Sequence, residues 1–204
     1  MFLNIPSKEL IKKNINNGLI NKNLDKNDSY YKLSKNIGEF IDVLAVVYKL
    51  KPLAGLDFSS YGKKNIKKNY NINIINSIIK LCNDNGVKFI HNYSKKGCYL
   101  KTIFYLPENE QKAINLMKII WIPDKFNKET PDIVNNAYYH YYIGKSFGYK
   151  NENIKYFLKR NFNYTLTNEY IKRFSEKMVN DCYTIENLNS YYRIEIKNKI
   201  NLIY

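Results

Sequence analysis

The stretch from Leu53 to Trp121 constrains the fold most, because its apolar period switches between strand and helix with a turn signal at each switch. Leu53 to Phe58 follows Pro52 and reads as a strand. Ile74 to Asn85 sets Ile74, Ile75, Ile78, Ile79, Leu81 and Cys82 at helical spacing and stops at Gly86. Val87 to Tyr93 and Tyr99 to Leu106 read as two strands joined by the polar turn Ser94 to Gly97. Pro107 suits the first turn of a following helix, where Glu108 and Glu110 lie near the positive end. Ala113, Leu116, Met117 and Ile120 form its core stripe, and it ends near Trp121, ahead of Pro123.

The order strand, helix, strand, strand, helix defines an α+β class. It resembles the split βαβ, ferredoxin-like layout, which implies two helices over one face of an antiparallel sheet. The missing fourth strand is expected from the C-terminal segment, where Tyr192, Ile194 and Ile196 alternate with Arg193, Glu195 and Lys197. Ahead of the core, Ser7 is the expected N-cap of a helix from Lys8 to Asn17, with Leu10, Ile11 and Ile15 on its packing face. Asn21 to Asp28 reads as an exposed loop and Ser29 to Ile37 as a short helix ended by Gly38. Phe40 to Leu50 is apolar nearly throughout, so periodicity allows either strand or helix; its length favours a helix closed by Pro52. Residues 1–125 are thus expected to form the α+β core and 126–185 a helical section entered through a linker at Lys125 to Pro131. Residues 186–204 are expected to return to the core as a strand or hairpin. In the helical section Asp132 opens a run of three helices reaching Asp181. Thr167 caps the last of them, Leu166 and Ile171 stand at staple spacing, and Phe174, Met178 and Val179 continue its apolar face.

Charge narrows the function classes. Lys and Arg outnumber Asp and Glu by 33 to 18, a net charge of +15 that favours polyanions at low salt. Arg occurs only at Arg160, Arg173 and Arg193, whereas Lys, Asn, Ile, Tyr and Phe, the residues of AT-rich codons, are abundant. In this the chain resembles proteins of AT-rich large DNA viruses in style, and codon bias can supply much of the Lys excess. Scarce Arg argues against guanine reading by a bidentate guanidinium. No apolar run approaches the roughly 20 residues of a membrane span, and MFLNIPSKEL lacks the layout of a signal peptide. An intracellular, cytoplasmic protein is expected, with Cys82, Cys98 and Cys182 as reduced thiols and no membrane partner.

One segment suggests a job as well as a fold. From Tyr138 to Asn161 the chain reads as two helices with a corner at Gly148, where a left-handed turn ends the first helix at Phe147, and Asn151 is placed to cap the second. Ile143, Phe147, Tyr149, Ile154 and Phe157 supply apolar groups for the corner, and Gly144 leaves room for a close crossing. The spacing of Gly144, Gly148 and Ile154 resembles the helix-turn-helix of DNA-binding proteins. The resemblance implies that Glu152 to Arg160 is the reading helix. Lys150, Asn151, Lys155, Tyr156, Lys159 and Arg160 would then face the groove or its flanking phosphates. The segment departs from that pattern in carrying Gly144 where Ala is usual and a carboxylate, Glu152, on the approaching helix. An ordinary helical hairpin inside a core satisfies the same spacing. Lys63, Lys64, Lys67 and Lys68, in the polar loop after the first strand, read either as a solvated loop or as a second phosphate-contacting patch.

Catalytic and cofactor signatures are absent from the sequence. Gly144, Lys145 and Ser146 match the end of a phosphate-binding loop, but Tyr139 stands where its first Gly is required. His91 and Cys98 face each other across the proposed hairpin without the second ligand pair that zinc needs. His140 sits on a tyrosine-rich helix without a partner of catalytic spacing. No cofactor or metal is expected, and an enzyme would have to assemble its site from distant residues. The concentration of Tyr138, Tyr139, Tyr141, Tyr142, Phe147, Tyr149, Tyr156 and Phe157 has three readings: core, a stacking platform for single-stranded bases, or a protein-contact surface. Adjacent aromatic pairs on one helix are expected to leave some rings exposed. The sequence therefore favours a nucleic-acid-binding protein for DNA or RNA. A protein-interaction or virion assembly component, including a homo-oligomer, is the competing class.

Overall fold

The computed structural model describes residues 5–17, 40–57, 72–93, 100–121, 133–181 and 193–197. Among the described residues are seven α-helices and four strands: α1 (Lys8–Asn17), α2 (Phe40–Val47), β1 (Leu53–Asp57), α3 (Ile72–Asp84), β2 (Lys88–Tyr93), β3 (Leu100–Tyr105), α4 (Glu110–Trp121), α5 (Ile133–Ser146), α6 (Asn151–Phe162), α7 (Asn168–Asn180) and β4 (Arg193–Lys197). The loop expected at 21–28, the helix at 29–37, the lysine loop with Lys63, Lys64, Lys67 and Lys68, the turn at 94–97 and the linker at 125–131 lie outside the described residues, as do Cys98 and Cys182. Contacts group the chain into two units, Met1–Asn109 with Tyr192–Tyr204, and Glu110–Tyr191.

In the first unit, local signals place most boundaries. Ser7 caps α1 as expected, its Oγ accepting from the Leu10 N–H at 3.2 Å. The ambiguous run at Phe40 is a helix because it is buried on almost every side: seven of its residues, all but Asp42, are buried. It ends where the Leu50 N–H turns back to the Ala45 carbonyl at 2.8 Å and Lys49 takes a positive φ of 58°. The Lys51 amine, 4% exposed, reaches back to Asp42 at 3.0 Å, so the buried charge has a carboxylate beside it. Helix α3 buries Ile75, Ile78, Ile79 and Cys82, one face at helical spacing. Gly86 ends it with φ 68°, and the Val87 N–H bonds to the Cys82 carbonyl at 2.9 Å. Burial pushes the Cys82 thiol up to about 12, which makes it an inert packing group.

The four strands form one antiparallel sheet in the order β1-β3-β2-β4. Register puts Ala54, Leu56, Phe89 and Phe104 on one face, where they pack with Ile11 of α1, the buried side of α2 and the α3 stripe. Leu53, Ile90, Ile103 and Tyr105 lie on the other face and are also buried. Side chains on both faces are buried, although Lys88, His91, Asn92, Lys101 and Thr102 interrupt the apolar runs in the sequence.

The α+β class stands, while the ferredoxin-like arrangement is not what this sheet shows. β4 extends the β2 edge, with Ile196 opposite Ile90, whereas that layout sets the last strand beside β1. The helix expected as its second cover, α4, belongs to the other unit and packs on α5. The division thus falls at Asn109 and Glu110, ahead of the expected boundary at 125. Pro107–Asn109 forms a 3₁₀ turn, so α4 proper begins at Glu110. Among the described residues no helix is long and apolar enough to cross a membrane.

Leu44 is fully buried at the centre of the first unit. Leu44→Ala is expected to cost about 2–5 kcal/mol, the transfer term plus the cavity left behind. Urea unfolding checks this as a lowered midpoint at unchanged slope.

Candidate nucleic-acid interface

Helix α5 is the centre of the second unit, in contact with α4, α6 and α7. That position settles where its aromatic residues go. Tyr138, Tyr141 and Tyr142 are buried and Tyr139 is half-buried, whereas Tyr156 of α6 is 46% exposed, so the expectation that some of these rings stand exposed is met on α6 and not by the buried tyrosines of α5. A helix with neighbours on three sides has an inward side for adjacent residues as well as for those one turn apart. The hydroxyls keep partners: Tyr138 donates to Asp181 Oδ2 at 2.5 Å, and Tyr141 shares a hydrogen bond with Ser175 Oγ at 2.9 Å. Asp181 ends α7 and also takes Lys177 at 3.2 Å. Burial lowers the Lys118 pKa, and the Asp181 charge opposes that shift. Sequence reading missed this cluster. Only the Lys177–Asp181 spacing is visible in the chain, because Tyr138 lies 43 residues away.

The corner between α5 and α6 is tight. The Phe147 N–H bonds back to Ile143 at 3.0 Å, Gly148 follows with φ 83°, and the Tyr149 N–H returns to the Gly144 carbonyl at 2.9 Å. A Cβ added at Gly144 would lie 2.9 Å from both Cγ1 and Cδ1 of Ile154. Ile154 and Leu158 are buried, while Ile143, Phe147, Tyr149 and Phe157 are half-buried. The expected cap is corrected. Lys150, extended at φ −69° and ψ 153°, is the flanking residue, and Asn151 already belongs to the helix. The Lys150 carbonyl starts the ladder, accepting from Asn153 at 3.1 Å and Ile154 at 3.2 Å. Asn151 Oδ1 and Ser146 Oγ are buried without a hydrogen-bond partner among the described residues. At its far end α6 stops on Asn163, left-handed at φ 51°.

Burial divides the six candidate contact residues of this segment. Lys150, Lys159 and Arg160 are exposed, and Tyr156 is 46% exposed. Asn151 is half-buried, with its oxygen turned away from solvent. Lys155 is half-buried and donates to Asn168 Oδ1 at 3.0 Å, tying α6 to the start of α7. At about 100° per residue, Glu152, Tyr156 and Lys159 fall within roughly 60° of one another, and Arg160 lies roughly 40° further round. The outward face is therefore basic with one carboxylate. The four loop lysines, Lys63, Lys64, Lys67 and Lys68, lie outside the described residues and add nothing to this geometry.

Helix α7 starts as expected: Thr167 accepts from the Tyr170 N–H at 3.3 Å, with Leu166 buried and Ile171 half-buried at the staple positions. Phe174 is buried, but Val179 is 73% exposed and does not continue the apolar face.

His140 is a packing ring. It lies 4.5 Å from the Phe162 centroid, 5.3 Å from Phe157 and 5.2 Å from Tyr139, and burial lowers its pKa. No group of three metal-ligating side chains occurs among the described residues. No family model matches the chain, and the comparisons with curated proteins and with solved structures likewise give no match.

Two outcomes follow from this geometry. Gly144→Ala is expected to destabilise by about 1–2 kcal/mol, the overpacking against Ile154 outweighing the roughly 1 kcal/mol of helix propensity that Ala brings. Paired with Ile154→Ala, which clears the space, it should cost less than the two single changes summed, and a double-mutant cycle by urea unfolding measures the coupling. The lowered pKa of His140 has a sign too: below the ordinary value near 6.5 the unfolded chain takes the proton first. Stability should therefore fall as pH drops from about 7 toward the folded-state pKa, and His140→Phe should flatten that part of the curve.

Proposed function

We propose that this protein binds duplex DNA inside the cell through the solvent face of α6, presented as the second helix of a helix-turn-helix-like pair. The observation that carries the reading is the Gly144–Ile154 approach, which fixes α6 against α5 and leaves its basic side outward. A helix held on one side by a close crossing is a rigid probe of a size that enters the major groove of B-form DNA. The deep, narrow major groove of A-form RNA does not admit one.

The fate of the tyrosines favours this reading over its competitors. Stacking on single-stranded bases needs exposed rings, and so does a tyrosine-rich contact surface. Tyr138, Tyr141 and Tyr142 of α5 are buried, two of them with hydroxyl bonds as well, which leaves Tyr156 of α6 as a single exposed tyrosine of this segment. An enzyme built on His140 is disfavoured by its surroundings, since the rings packed on it, Tyr139, Phe157 and Phe162, bring no carboxylate or other base beside the imidazole.

The test is charge reversal on the outward face. Lys159→Glu with Arg160→Glu should weaken binding to a labelled DNA duplex on the order of tenfold or more at low salt, with an unchanged thermal melt. Full affinity in that folded variant would take the function away from α6.

A further inference from the structure

We infer that α6 holds DNA by its phosphates with indifference to base sequence, and that Glu152 limits how tightly it holds. The inference rests on the DNA-binding reading and specifies what kind of binder the α6 face makes.

Base reading needs side chains that can form paired hydrogen bonds to base edges: Arg on guanine, Asn or Gln on adenine. α6 and its flanks are rich in Asn, and two of these amides, Asn161 and Asn168, are engaged within the protein, while Asn153 is half-buried in the first turn. Asn151 Oδ1 is buried in the corner. Asn161 Nδ2 donates to the Phe157 carbonyl of its own helix at 2.9 Å. Asn163 occupies the left-handed position that ends the helix. Asn168 Oδ1 accepts from Lys155, which also engages that lysine.

Besides Asn161 and Asn163, the exposed groups of α6 and its N-terminal flank are Lys150, Lys159, Arg160, Tyr156 and Glu152. Two are ammonium point charges, which suit phosphates. The one guanidinium stands in the last turn of α6, whereas base contacts in helix-turn-helix proteins come from the N-terminal part of the reading helix. That part carries Glu152. Its carboxylate suits the positive end of its own helix, and it repels any phosphate or acceptor-rich base edge brought close. The face thus carries two cations and one anion, with Lys150 exposed at the N-terminal flank, an arrangement for weak, reversible binding along DNA.

The experiment measures affinity for a set of duplexes of differing sequence and AT content, and selection from a randomised duplex pool, at several salt concentrations. Wild type, Glu152→Gln and Lys159→Ala/Arg160→Ala are compared, each checked for an unchanged melt. Wild-type affinities should agree within about threefold across sequences, and the double variant should make the log–log salt slope shallower by about 2, near 0.9 for each lost phosphate contact. Glu152→Gln should tighten binding to every duplex by about threefold, the size of removing one like charge several ångströms away in water. A sequence preferred tenfold or more, with the dependence on Lys159 and Arg160 intact, would overturn the indifference and leave the DNA reading standing. Weaker binding of Glu152→Gln at cytosine-bearing sites alone would recast Glu152 as a base reader and overturn its limiting role. If the double variant changed neither affinity nor slope, the DNA reading itself would fall, and this inference with it.

Discussion

Ile154 against Gly144 is the contact on which the second unit depends. A glycine inside a helix costs roughly 1 kcal/mol relative to alanine, since the unfolded chain has more freedom there and the helix gains no side chain to pack. Here the missing Cβ is the space that Ile154 fills. Because α6 lies that close, Ile154 and Leu158 are buried and the opposite side of the same short helix faces solvent. The left-handed turn at Gly148 brings α6 into place, and the packing at Gly144 fixes its spacing.

The same crossing explains how a helix carrying four tyrosines and a histidine can be central. Tyrosine is largely apolar, with one hydroxyl that must be satisfied when buried. Tyr138 and Tyr141 meet that requirement on residues near the end and middle of α7, so the hydroxyls also hold α7 against α5. His140 serves the α6 side, in tilted ring contact with Phe162 and Phe157. The polar atoms of the core thus act as cross-links between helices, and the rings supply its bulk.

Much of this was legible in the chain. Ser7 and Thr167 as caps, Gly86 and Gly148 as stops, the α3 stripe and the room at Gly144 all follow from short-range rules, and local hydrogen bonds enforce them. The failures are non-local. Which edge β4 joins depends on partners distant in sequence, as does the allegiance of α4. Sequence period cannot show a helix surrounded on three sides, so it did not reveal that Tyr138, Tyr141 and Tyr142 would all be buried. The cap slipped by one residue because the extended Lys150 met the backbone need, leaving Asn151 inside. Of the candidate contact residues on this segment, Lys150, Tyr156, Lys159 and Arg160 are exposed, while Asn151 is half-buried with its oxygen inside and Lys155 is tied to Asn168, which composition cannot reveal.

Net charge and local charge say different things about this protein. A total of +15 raises the encounter rate with any polyanion, through a field that salt screens within about a nanometre. Holding a ligand after encounter depends on the few groups that touch it. On the proposed α6 face those would be Lys159 and Arg160 against Glu152, a net of one positive charge, with Lys150 at the flank. Steering can thus be strong while the grip is modest, and the two respond to different changes. Removing lysines elsewhere would slow association and leave the contact itself unchanged. On the proposed DNA-binding reading, altering Glu152 would act mainly on dissociation, because its carboxylate would be felt only once the helix had approached the phosphates.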